Sequence, residues 1–252
     1  MSALAVLEAE RIKLSTTRAP LWCAIGVAVL SLGVAALQGR TAYDYSVLPP
    51  QKAALGVAVF GVPVLMILAS MTVTGEYRSG LIRSTFMATP NRSVVLIAKA
   101  VVAAAFSGAY AALMTVAAVV VARLAAKPMV GSQLSLTASG TWRVVAAIAV
   151  YAALAAVLGV GVGALLRFAA GAVAVLLLWP LVAEPLLGNM PNVGPAIGPW
   201  LPFANIFRFI DVTWLYPVYG MPWGELGSLL YFVVVVAVVF VAALVEVNRR
   251  DA

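Results

Sequence analysis

Six runs of about twenty mainly apolar residues follow one another along the chain, at roughly 19–38, 53–73, 94–122, 142–166, 169–188 and 226–245. A helix rises 1.5 Å per residue, so about twenty such residues cross the hydrocarbon core of a bilayer. A helix also satisfies its own backbone hydrogen bonds, which lipid cannot do for it. These runs therefore predict an all-α integral membrane protein with six transmembrane helices in one domain over residues 1–252. Composition agrees. The chain is 64% hydrophobic and 10% charged, against about 45–50% and about 25% in soluble domains. The third run is long enough to tilt or to project beyond the bilayer. The fourth and fifth are separated only by the region around Arg167, Phe168 and Ala169. The first run is expected to be a retained helix: Glu8, Glu10, Arg11, Lys13 and Arg18 precede it, unlike the short basic leader of a signal peptide, and more spans follow.

An even number of spans puts both termini on one side. That side would hold Arg11, Lys13, Arg18, Arg78, Arg83, Arg92, Lys99, Arg167, Arg249 and Arg250; the other would hold Arg40, Lys52, Arg123, Lys127, Arg143 and Arg208. Positive charge favours the cytoplasmic side, so both termini are expected there, in a multi-pass plasma-membrane protein. The net charge of +7 is scattered through the connectors and points to topology, with no nucleic-acid partner expected.

Residues 3–18 place Leu4, Leu7, Arg11 and Leu14 at helical spacing with Glu8, Glu10 and Lys13 elsewhere on the wheel. This predicts an amphipathic helix on the cytoplasmic surface, with an ordinary solvated leader as the alternative. The long outer segment 189–225 is rich in Pro, Gly and aromatics: Trp200, Phe203, Phe207, Phe209, Trp214, Tyr216 and Trp223 suit the membrane–water interface. Short helices lying at or dipping into the outer surface, or an aromatic belt anchoring its neighbours, would each account for them.

Absences narrow the chemistry. The chain has no histidine, which removes Ser-His dyads and histidine metal clusters. Cys23 is alone, so no intrachain disulfide or thiolate metal site forms, and it reads as a small buried hydrophobe. No Gly-Lys pair occurs, hence no P-loop, and the chain cannot use ATP by that route. An autonomous enzyme is not expected, and no cofactor or metal is expected on this chain.

Glu184, in "LLWPLVAEPLLG", is read as the one charge clearly inside a span, near the outer end of the fifth. An unpaired carboxylate there is costly and should face the bundle interior, a partner or water. Pro180 and Pro185 flank it, which predicts a bent or broken span. Contact with substrate or a gate is one reading; a structural hydrogen bond to the outer segment is the other. Gly159 and Gly163 form a G-x-x-x-G pattern in the fourth span, which favours close helix packing inside the bundle.

The connector "TGEYRSGLIRSTFMATPNRS", residues 74–93, carries Glu76, Arg78, Arg83 and Arg92 between two spans. With the second span ending near Val73, the stretch "GEYRSGLIRSTFMA" predicts a short helix in or beneath the headgroups. Thr89 and Pro90 look like the N-cap and first residue of the third span. Topology alone needs only Lys and Arg, so Glu76, Tyr77, Phe86 and Met87 predict either a docking surface or a lipid-facing interfacial helix.

This stretch resembles the segment after the second span in ABC-2-type permeases, the membrane subunits of ATP-binding-cassette transporters. Glu76, Gly80, Arg83, Thr89, Pro90, Arg92 and Lys99 occupy the family's Glu, Gly, basic, Thr-Pro-x-Arg and Lys positions. The leader "EAERIKLSTTRAPLW", with Glu10, Lys13 and Arg18, resembles the family's N-terminal interfacial helix, and "WPLVAEPLLG" before "PWLPFAN" resembles the last part of short members. The first external loop is short, so no large extracellular domain is expected. The resemblance implies a half-transporter that pairs with a second copy or a sister permease and sits on a separate ATPase subunit, which binds ATP and magnesium. Residues 74–90 would be the coupling helix. Glu76 and Arg83 would contact the ATPase, with Tyr77, Arg78 and Phe86 beside them. Export is the commoner direction, and few internal charges favour lipidic, peptide or drug-like cargo. A non-transporting scaffold or regulatory subunit would account for the spans and the docking face, though not for the combined motifs. An intramembrane enzyme is the least supported reading.

Overall fold

The computed structural model describes residues 2–43, 47–132, 134–212, 216–217 and 219–249, so Trp214 and Arg250 lie outside the described residues. Among these residues every regular element is helical, and no strand occurs. In chain order the helices are α1 (Ala3–Thr16), α2 (Arg18–Thr41), α3 (Pro50–Ala53), α4 (Val62–Ser79), α5 (Leu81–Ala88), α6 (Arg92–Ala125) and α7 (Pro128–Gly131). There follow α8 (Ser139–Leu166), α9 (Ala169–Leu178), α10 (Glu184–Gly188), α11 (Gly194–Ile197), α12 (Pro202–Phe209) and α13 (Glu225–Arg249). A π turn, Val57–Gly61, leads into α4, and another, Trp179–Ala183, joins α9 to α10. Six stretches are long and apolar enough to cross a membrane: Arg18–Thr41, Val57–Ser79, Arg92–Ala125, Ser139–Leu166, Ala169–Gly188 and Glu225–Arg249. That is the make-up of a multi-pass membrane protein.

α4 and α8 are the most buried spans, and α8 packs against α4, α6, α9 and α13. The glycine pair explains the closeness of α8 to α4. A Cβ built on Gly159 would lie 2.2 Å from the Met66 carbonyl oxygen, and one on Gly163 would lie 2.8 Å from that of Ser70. Only hydrogen fits there, so G-x-x-x-G serves packing within the chain. Tyr151 on α8 is fully buried among Phe207 and Phe232, in edge-to-face contacts.

Two boundaries in the connector differ from the sequence reading. The second span continues to Ser79 instead of ending near Val73, so Glu76 and Tyr77 belong to its last turns. The third span is capped by Asn91, whose side chain accepts from the Val94 N–H at 3.2 Å. Thr89 is extended and its N–H donates to Thr85, so it closes α5 instead of opening α6. The cause is Pro90, whose ring disfavours helical geometry in the residue before it.

Side-chain contacts sort the helix ends onto two faces. Arg92 at the start of α6 donates to the Val247 carbonyl near the end of α13, and Asn248 donates to Ser93. The Arg167 guanidinium, at the α8–α9 junction, stacks over Tyr77 near the end of α4. These ends and α1 share one face. On the other, Arg143 at the start of α8 pairs with Glu225 at the start of α13, and Gln51 of α3 donates to Asp211 after α12.

Candidate functional site

The α1 face holds a buried four-charge network. Ser2 caps α1 by accepting from the Ala5 N–H, and Val6 packs on Val95 and Ala98 of α6. That seating turns Glu10 inward until it is 6% exposed. Glu76 on α4 is 8% exposed and Lys99 on α6 only 3%. Lys99 Nζ donates to Glu10 Oε2 at 2.7 Å, to Glu76 Oε1 at 2.7 Å and to the Thr72 carbonyl at 3.2 Å. All three ammonium protons are thereby used. Lys13 Nζ donates to Glu10 Oε1 and to Glu76 Oε1, each at 2.8 Å. Two carboxylates and two ammoniums thus alternate across α1, α4 and α6, with no net charge.

Lys13 is the partly open member of the set. Partial burial pulls its pKa down, but the hydrogen bonds and charges of Glu10 and Glu76 outweigh that and hold it above the ordinary 10.5. Lys99 is the most buried member, and its removal would leave two largely buried carboxylates with only the partly open Lys13 between them.

Beside the network the chain turns sharply. Gly80 caps α4 with φ +73 and ψ 0, a left-handed geometry that glycine adopts without the Cβ penalty, and its N–H returns to the Tyr77 carbonyl. α5 then buries Ile82 and leaves Leu81 and Met87 58% and 78% exposed. Arg78 and Arg83 are exposed on the same connector. Phe86 is half-buried, packed near Val6 of α1 and covered by the Arg92 guanidinium 5.2 Å from its ring centre. Between α1–α2 and α4–α6 lies a cavity of about 480 Å³.

The residues expected to form the coupling surface therefore divide. Glu76 sits inside the chain, paired with Lys13 and Lys99. Tyr77 and Phe86 are half-buried under arginines of other helices. Arg78, Gly80, Arg83 and Pro90 are exposed, Thr89 is buried, and Arg18 is exposed at the start of α2, outside the network. The sequence reading missed the role of Lys99, which it treated as a topology charge. The signal was there: Lys99 falls inside the apolar run 94–122, where an ionisable group needs a buried counter-charge.

Glu184, on the opposite face, is 0% exposed and fully engaged. Its Oε1 accepts from Trp179 Nε1 at 2.7 Å, and its Oε2 accepts from the N–H groups of Phe203 and Ala204 at 2.9 and 3.2 Å. Those are first-turn donors of α12, which lack intrahelical partners and carry the positive end of the helix dipole. The π turn has its own logic. Glu184 donates its N–H to Trp179, and Pro185 has no N–H, so the Pro180 carbonyl is left for the Tyr216 hydroxyl, which donates to it at 2.7 Å. Phe203, Phe207 and Tyr216 are buried, whereas Trp200 is 56% exposed; these aromatics divide between core and surface.

Among the described residues no group of three or more His, Cys, Asp or Glu side chains could hold a metal ion. No protein-family model matches the chain, and no curated protein matches it significantly.

Proposed function

We propose that this chain is the membrane-spanning subunit of a transporter driven by a separate ATPase, in the manner of ABC-2-type permeases. The observation that carries the reading is the construction of the α1 face. A short helix, α5, hangs from a glycine-broken span with Leu81, Arg83 and Met87 turned outward. The ion network ties α1, α4 and α6 together behind it. A push on α5 is thus passed to two spans at once. The family resemblance of residues 74–99 supports the same assignment, and the excess of basic residues on this face supports a cytoplasmic orientation under the positive-inside rule.

In this reading α5 is the coupling helix and Leu81, Arg83 and Met87, with Arg78, contact the ATPase. Glu76 acts behind the contact, holding α1 and α6 to α4. ATP and magnesium belong to the ATPase, and a second copy or a sister permease completes the pathway. Export is the expected direction, with lipidic, peptide or drug-like cargo. The test is co-purification of the tagged chain with ATPase subunits from its native membrane in mild detergent. The double variant Arg83→Glu, Met87→Glu should insert normally yet recover less than about a tenth of the ATPase, since interface energy concentrates in a few residues. Undiminished recovery would overturn the coupling assignment. Absence of any ATPase in the wild-type preparation would favour a scaffold instead.

A further inference from the structure

The face opposite α1 carries cations that the fold leaves without partners. α2 and α6 pack together up to their last turns, where a Cβ on Gly39 would lie 2.4 Å from the Ala122 carbonyl oxygen. That contact joins the backbones that carry Arg40 and Arg123, both exposed. α3 packs on both helices and adds the exposed Lys52, and Lys127 stands at the start of α7 just beyond α6. Among the described residues Arg40, Lys52 and Arg123 make no ion pair and no side-chain hydrogen bond. Two acids described on this face are engaged by other groups: Glu225 pairs with Arg143, and Asp211 accepts from Gln51. The positive-inside rule accounts for cations on the α1 face, but it does not call for these.

The chemistry around these cations selects the partner. Like charges on adjoining backbones repel unless an anion lies between them, and the guanidinium fork matches the oxygens of a phosphate. Leu37, one turn before Arg40, and Leu124, next to Arg123, are exposed beside the charges. Both apolar stretches, Arg18–Thr41 and Arg92–Ala125, end at this point. A soluble anion would match the charge and leave the leucines bare, whereas an anionic lipid matches both. We infer that the joined ends of α2 and α6 bind the phosphate of an anionic phospholipid, with Arg40 and Arg123 donating to its oxygens and its chains lying along Leu37 and Leu124. The inference concerns this chain alone and stands whether or not an ATPase couples to α5.

Photolabelling of the whole chain in phosphatidylcholine nanodiscs tests it. The probes are phosphatidylglycerol and phosphatidylcholine carrying the same diazirine-bearing acyl chain, each added in trace amount. The phosphatidylglycerol probe should label residues 33–41 and 120–129 about fivefold or more above the phosphatidylcholine probe, about the worth of one basic side chain near an anionic lipid. Arg40→Gln and Arg123→Gln should each lower that ratio, and the double variant should bring it close to equality. Arg18→Gln, which removes an exposed cation from the α1 face, should leave it unchanged. Inorganic phosphate, exchanged for chloride at constant ionic strength, should not displace the lipid; displacement would assign the arginines to a soluble phosphate and overturn the inference. Equal labelling by the two probes, an unchanged ratio in the double variant, or an equal fall with Arg18→Gln would overturn it as well.

Discussion

Lys99 shows how one residue organises a face. With its ammonium removed, the largely buried Glu10 and Glu76 would share only the partly open Lys13. Lys99→Met should therefore destabilise the chain by about 3–5 kcal/mol, the usual cost of stranding a buried charge. Removing Glu10 as well leaves the Lys13–Glu76 pair intact, so Glu10→Met with Lys99→Met should recover much of the loss. Denaturation of the single and double variants in the same detergent measures that coupling. Lys13 sets a pH limit. Its pKa is raised, so its hold on α1 is complete below the ordinary 10.5 and is lost as pH rises through the folded value. The protection factors of α1 amides, exchange taken relative to the intrinsic rate, should stay constant to about pH 10 and fall above it, while Lys13→Met should show no such fall. Glu184 makes the opposite point. The sequence admits a gate or substrate contact and a structural bond alike; two backbone donors of α12 on one oxygen make it a cap for that helix, with Trp179 on the other oxygen. Glu184→Gln turns an amide N–H₂ toward backbone donors and should cost about 1–3 kcal/mol, with faster exchange at Phe203 and Ala204.

At the scale of the element, the informative object is the α4–α5 corner. Gly80 holds a left-handed turn, and a Cβ there would cost about 1–2 kcal/mol. Gly80→Ala should loosen α5, seen as faster exchange over residues 81–88, while the long spans stay protected. Helix existence was legible because apolar length is a strong signal, and all six runs coincide with apolar helices. Helix ends were not. Hydropathy falls at Gly75 and Glu76, which predicts a span ending near Val73, yet the backbone continues to Ser79 because Lys13 and Lys99 neutralise Glu76 in place. Likewise "ATPNRS" offers two caps, Thr89 and Asn91, and only the backbone geometry before Pro90 decides between them. A periodicity argument weighs each residue against solvent or lipid and is blind to a partner 89 positions away, as Glu10 is from Lys99.

For the whole molecule, the two faces are built by different means, and that difference predicts how the chain responds to force. The α1 face is held by ion pairs and arginine–aromatic stacking among α1, α4, α6 and the α8–α9 junction. The opposite face is held by a carboxylate cap and aromatic packing of α12 against α8 and α13. Between them runs the close α4–α8 contact, in which Gly159 leaves no room for a side chain. If motion at one face is to reach the other, that contact is the shaft. Gly159→Val would force the helices apart at Met66 and should destabilise the chain by about 1–3 kcal/mol, as overpacking of a tight interface does. Under the proposed function, in a transport assay with a co-purified ATPase, the same variant should lower cargo movement per ATP hydrolysed, while recovery of the ATPase through α5 stays near wild type. Loss of both together would mean that the α1 face cannot fold without the shaft. Retention of both would mean that the α4–α8 contact is not the coupling route, which would then have to pass through α6 instead.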